Sequence, residues 1–130
     1  MILYVEGKPN QKAIDLIKAG ELILINTDDI KSSLEIESAY SKAKRAMVQG
    51  SNISRDLGSE TMLYLYGGRQ ISEAIKKYGI KETQEKYFLI TESALDVKSL
   101  NLEIKEFKEN AEIEEIFTRL EKIAMLEIKK

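Results

Sequence analysis

Apolar residues along this chain fall into two patterns, short continuous runs and stripes that return every three or four positions. Ile2 to Val5 is a run of the first kind, closed by the turn signal Gly7-Lys8-Pro9-Asn10. A helix follows from near Asn10, with Ala13, Ile14 and Ile17 on one face and Gly20 as its stop. Leu22 to Ile25 is a second run, ending at Asn26-Thr27-Asp28-Asp29. Continuous apolar character is what a strand covered on both faces needs, so it is expected at the centre of the sheet. Ser32 and Glu35 have capping-box spacing at the head of the longest helix, whose stripe is Ile36, Ala39, Tyr40, Ala43 and Met47 and whose stop is Gly50. Asp56 or Ser59 caps a further helix through Met62, Leu63 and Tyr66, which ends at Gly67-Gly68. Arg69 to Tyr78 reads as a short helix, with Gly79 in the left-handed terminal position. Tyr87 to Ile90 is a third strand, and residues 92–110 suit either a helical turn or an irregular edge strand. Asn110 is the expected cap of a last helix striped by Ile113, Ile116, Phe117, Leu120 and Ile123, with Leu126 to Lys130 fraying or adding a little edge structure. This order predicts an α+β fold, a small mixed or antiparallel sheet of three to four strands flanked by several helices, in one domain over residues 1–130.

Composition narrows the chemistry. The chain has no cysteine and no histidine, so Cys/His zinc sites, thiol nucleophiles, Ser-His-Asp triads and imidazole acid–base work are all excluded. The N-terminal residues lack a basic leader and a long apolar segment, and no run is long enough to cross a bilayer, which predicts a cytoplasmic protein. Charge is uneven. Residues 1–37 carry net −3, residues 38–81 net +5 and residues 82–130 net −4. A basic middle third points to RNA as a candidate partner, while acidic helices at both ends would give the same arithmetic. The basic candidates are Lys42, Lys44, Arg45, Arg55, Arg69, Lys76 and Lys77, with Tyr64, Tyr66 and Tyr78 nearby in sequence as faces on which unpaired bases could stack.

Other motifs are weaker. Gly67-Gly68 precedes a helix, but neither the phosphate-loop pattern nor the dinucleotide fingerprint is present, so the pair reads as a turn. Asp28 and Asp29 follow a strand, yet no third acid stands at motif spacing, which favours turn and cap roles over a metal site. Neither a metal nor a cofactor is expected. The most punctuated stretch is Gly67 to Ile80, an amphipathic helix between glycines. Its apolar positions are Ile71, Ala74, Ile75 and Tyr78, which must be buried either in the domain's own core or against a partner.

Arg-Gln-Ile-Ser-Glu-Ala-Ile-Lys-Lys-Tyr-Gly-Ile, Arg69 to Ile80, resembles the signature of the PRPK-binding protein family, the small accessory subunit of the KEOPS complex. Ser72-Glu73-Ala74, Lys76-Lys77 and Gly79-Ile80 carry the likeness most closely, and Ser59 to Gly68 is similar to the family's preceding helix. The length resembles the archaeal branch. The resemblance implies a non-catalytic protein that binds the N-terminal lobe of the small atypical kinase/ATPase of that complex and supports its activity. It also implies a part in forming threonylcarbamoyladenosine in tRNA, a reaction performed by another subunit, and in holding tRNA by its single-stranded 3′ CCA end. On this basis Ile71, Ala74, Ile75 and Tyr78 are the expected kinase-docking residues, and the seven basic residues above the expected RNA contacts. The competing expectation is a pure protein-interaction module that stabilises a kinase without touching RNA. A small-molecule regulatory domain would need a deep enclosed pocket, of which the sequence gives no sign.

Overall fold

The computed structural model describes all 130 residues. Four strands, β1 (Ile2–Gly7), β2 (Ile23–Asn26), β3 (Lys86–Ile90) and β4 (Leu102–Ile104), form one open antiparallel sheet in the order β2-β3-β1-β4. Five helices accompany it: α1 (Gln11–Lys18), α2 (Ser33–Gln49), α3 (Leu57–Tyr66), α4 (Ile71–Tyr78) and α5 (Ile113–Lys129). The α+β expectation is met. Residues 92–110 resolve into a 3-10 turn at Val97–Leu100 followed by the edge strand β4.

The apolar runs are explained by a sheet covered on both sides. Register places Ile2 beside Ile90, Tyr4 beside Phe88, and Ile25 beside Phe88 from the other side. These residues face the larger core, which is closed by α2, α3, α4 and the second half of α5. The alternate residues Val5, Leu24, Tyr87 and Leu89 face a smaller core beneath α1 and the 3-10 turn. Side chains alternate faces along a strand, so both sets must be apolar where both faces are covered. The same fact corrects one expectation. β2 is an edge strand, hydrogen-bonded only to β3, and β3 and β1 are the central pair. Double-sided cover, rather than a central position, makes Leu22 to Ile25 continuously apolar.

Helix ends follow local chemistry where the chemistry is local. Asn10 caps α1 by accepting from the Ala13 amide, and Asp56 caps α3 by accepting from the Ser59 amide. The Ser32–Glu35 capping box is formed. Asn110 does not cap α5. That helix begins two residues later, with Glu112 at its N-cap and no side-chain cap bond. α4 starts at Ile71 rather than Arg69.

Gly79 is extended, with φ −75° and ψ −178°, and not left-handed. A side chain is excluded there for a different reason, because a Cβ would lie 2.6 Å from the Ile75 carbonyl oxygen. Asn26, fully buried at the end of β2, donates through Nδ2 to the Lys77 and Gly79 carbonyls at 2.8 and 2.7 Å. These bonds fix the C-terminus of α4 against the sheet edge. Gly79→Ala is therefore expected to destabilise the fold by about 1–3 kcal/mol in urea unfolding, the usual cost of forcing atoms into a packed site.

The last helix departs most from its predicted stripe. Only Ile123 and Leu126 are fully buried, whereas Ile113 and Phe117 are 71% and 60% exposed. Its end does not fray. Leu126 is in the core, and Lys130 closes an ion pair with buried Glu60 at 2.6 Å. No helix is long and apolar enough to cross a membrane.

Candidate functional site

α3 and α4 form a hairpin whose open end lies against the free edge of β2. The helices pack on each other and both touch β2. Between them, β2 and the end of α1 lies a groove of about 420 Å³, within the usual range for ligand sites. Met62, Ile75 and Ile80 supply its apolar wall on the hairpin side, and Ile17 and Lys18 its wall on α1. Its floor is Leu22 to Leu24. Leu22 and Leu24 are each 2% exposed, and the α3–α4 hairpin covers this edge of the sheet. Ile75 and Ile80 are 43% and 42% exposed, high values for residues of their kind beside a groove.

Of the four apolar residues of α4, two face inward. Ala74 and Tyr78 are 0% and 1% exposed and belong to the larger core. The Tyr78 hydroxyl donates to the Leu65 carbonyl at 3.3 Å, and burial first, then the charges of Asp29 and Glu35, raise its pKa above the ordinary tyrosine range. Ile71 is half-buried against the same core, so α4 presents chiefly Ile75 to solvent. The stacking tyrosines are corrected in the same way. Tyr64 and Tyr78 are 1% exposed and Tyr66 is half-buried against the core, because tyrosines at helical spacing here fill the α2–α3–α4 interior.

The seven basic residues do not converge on one surface. α3 packs between α2 and α4, which separates Lys42, Lys44 and Arg45 from Lys76 and Lys77. Lys44 pairs with Glu92 at 3.7 Å and Arg45 with Glu127 at 2.6 Å. Lys77 pairs with Asp29 at 2.9 Å, and Lys42 donates to the Ser38 hydroxyl at 3.3 Å. Arg69 is exposed at the α3–α4 turn. Arg55 and Lys76 are exposed too, and each adjoins a residue lining the groove, Asp56 and Ile75. Lys18 lines it directly. The groove is lined mainly by apolar side chains, with Lys18 and Asp56 its two charged lining residues. Sequence reading missed Lys18, because only the tertiary fold brings the end of α1 opposite α4.

Charges elsewhere are absorbed by the scaffold. Arg119 of α5 donates to the Asp29 carbonyl at 2.8 Å, to the Asp29 carboxylate at 3.2 Å and to Glu35 at 3.1 Å. Burial alone would raise the Asp29 pKa, but the bonds from Lys77 and Arg119 outweigh it and hold this carboxyl below its usual range. Asp29 is thereby an anchor of α5, in keeping with a turn residue. Lys122 drapes over Gly67, and burial, then the neighbouring Lys77, pushes its ammonium below the ordinary lysine range. No group of three or more acidic side chains lies close enough to hold a metal ion.

Residues 9–130 match the family model described as kinase binding protein CGI-121. The chain belongs to that family. The match covers nearly the whole fold, from the turn before α1 to the end of α5, and agrees with the likeness carried by Arg69 to Ile80. A sequence search of curated proteins returns no match. Membership in the CGI-121 family makes the chain a kinase-binding protein, with an accessory role.

Proposed function

We propose that this CGI-121 family member is the cytoplasmic, non-catalytic accessory subunit of a KEOPS complex. In this reading it binds the N-terminal lobe of the small atypical kinase/ATPase and supports its activity. It also recruits tRNA, through the unpaired 3′ CCA end, for threonylcarbamoyladenosine formation on another subunit. The observation that carries the kinase part is the family match over residues 9–130.

What supports the RNA part is the groove beside α4. Its apolar interior suits the faces of unstacked bases. Lys18 in the groove lining supports this reading, and the exposed Arg55 and Lys76 are its further candidate phosphate contacts. Holding a tRNA by one end raises its effective concentration at the modifying subunit without contact to the reacting base.

Binding of the purified chain to tRNA with and without its CCA end, by fluorescence anisotropy at two salt concentrations, tests this part. Loss of the CCA end is expected to weaken binding at least tenfold. Arg55→Ala and Lys76→Ala are each expected to weaken binding to intact tRNA and to lower the salt slope by about one. Equal binding to both tRNAs, or none to either, would leave a protein-interaction module that supports a kinase without RNA.

A further inference from the structure

The sheet has two edges, and its helices cover only one of them. The α3–α4 hairpin packs against β2, whereas β4 packs against β1 and the 3-10 turn that precedes it. After Glu106 the chain turns back across the sheet, where Phe107 packs on Tyr4 and Phe88 with ring centroids 5.3 and 4.8 Å apart. The outer side of β4 is left open. Glu103, Ile104, Lys105 and Glu106 are all exposed, and Ile104, at 58%, is an apolar side chain mostly in solvent.

The phase of the ladder decides which backbone groups face outward. The Lys105 amide donates to the Tyr4 carbonyl at 3.0 Å, and the register sets Val5 beside Ile104 and Glu6 beside Glu103. Bonded pairs in an antiparallel ladder recur at every second residue. Glu103 and Lys105 therefore turn their N–H and C=O groups inward to β1. Leu102 and Ile104 turn theirs outward, where no strand receives them.

Charge selects the occupant. Glu103 stands opposite Glu6, and the cation nearest this pair of acids is Lys105, 3.6 Å from Glu103. A lysine on an open edge ordinarily blocks pairing with another chain. Here a glutamate two residues away can answer it. A strand related to β4 by a two-fold axis through Ile104 sets Ile104 against its own copy, bonded twice through the outward N–H and C=O groups. Glu103 then faces Lys105 of the second copy, and Lys105 faces Glu103, in the pair type that brings side chains closest. A two-fold axis through Glu103 instead sets that acid against itself and is repelled.

We infer that β4 is a self-association edge, at which two copies of this chain join their four-stranded sheets antiparallel about Ile104. The inference is independent of the RNA reading. β2 and its groove lie at the opposite edge of the sheet, so both grooves stay open in the dimer. The paired segment is short and buries little area, so the dimer is reversible and grows with concentration.

Sedimentation equilibrium of the full chain over a rising concentration series tests this. The parent is expected to pass from monomer to dimer. Ile104→Pro removes an outward N–H that β1 does not use, and should stay monomeric with a melting curve near the parent's. Glu103→Lys should weaken dimerisation at least ~10-fold, because like charges then meet twice across the axis. Adding Lys105→Glu to Glu103→Lys restores opposite charges there and should return the affinity to within about threefold of the parent. The two charge variants decide the matter alone if Ile104→Pro does not fold. A parent that remains monomeric throughout would overturn the inference. So would a dimer that Glu103→Lys leaves intact, or one that the double variant fails to restore.

Discussion

Glu60→Ala is expected to cost about 3–5 kcal/mol of folding free energy, among the largest losses available to a single substitution in this chain. The Glu60 side chain is fully buried in the first turn of α3. One carboxylate oxygen accepts from the amides of Ile53 and Ser54, each at 2.9 Å. The other accepts from the Lys130 ammonium at 2.6 Å, which also donates to the Tyr64 hydroxyl at 2.8 Å. Burial works against the charge on Lys130, but Glu60 and then Tyr64 outweigh it and hold its pKa above the ordinary lysine value. Alanine leaves a poorly solvated ammonium without its counter-charge and a buried amide, that of Ser54, without an acceptor. The expected signature is a melting temperature lower by about 10–20 °C. Glu60→Gln keeps an acceptor for the two amides and lacks only the charge, so its loss should be intermediate. Equal losses for the two variants would show that the amide bonds contribute little. One carboxylate here joins the loop that carries Arg55 to the far end of α5, so that loop should loosen in both variants.

Arg119→Ala is the second large effect, about 3 kcal/mol. Its guanidinium is the one group that ties α5 at once to the turn after β2 and to the head of α2. Glu35, only 5% exposed in its side chain, would keep the amides of Lys31 and Ser32 but lose its positive partner. Arg119→Lys should recover less than half of the loss, because a single ammonium cannot reproduce two nitrogens that reach a carbonyl and two carboxylates.

The pH dependence follows from the same network. The folded pKa of Asp29 lies below its unfolded value of about 4. Its contribution is therefore complete above about pH 4 and is lost as pH falls through the folded value. The bonds from Ser33 lower the pKa of Glu109 and give it the same sign. Stability should be flat from neutral pH to about 5 and fall below about 4. The fall should be shallower in Arg119→Ala, whose Asp29 carboxyl should titrate nearer its ordinary value by NMR. An acid transition that is unchanged in this variant would show that Asp29 does not depend on Arg119.

These carboxylates find their partners far along the chain. Glu35 was legible as half of a capping box with Ser32, three residues away, and the box is formed. Its bond to Arg119 spans 84 residues and leaves no local signal. Glu60 stands in the first turn of α3, and its partner lies 70 residues on. The candidate site divides along the same line. Lys76 and Ile75 were singled out from their own helix, and Arg55 from the basic middle third. That Ile75 lines a groove with Lys18 depends on where α1 ends and on β2 lying at the sheet edge. Ala74 and Tyr78 shared a stripe with Ile75 and Ile71, and a stripe does not disclose how wide an arc of the helix the core will cover.

What the sequence determined by itself were the elements, most of their caps and the α+β class, because period, capping and turn chemistry act over a few residues. It also excluded thiol and imidazole chemistry outright, and the Arg69–Ile80 motif pointed to the family that residues 9–130 match. Only the tertiary structure decided strand order, which acids are buried, and which apolar residues lack a partner. Ile123 and Phe117 belong to one predicted stripe, yet the first is in the core and the second faces solvent. The reason is geometric. α5 carries its apolar stripe over its whole length, but α2 and α3 cover only part of its circumference and chiefly its second half. What they leave open is a property of how three helices pack, and no spacing within one helix encodes it.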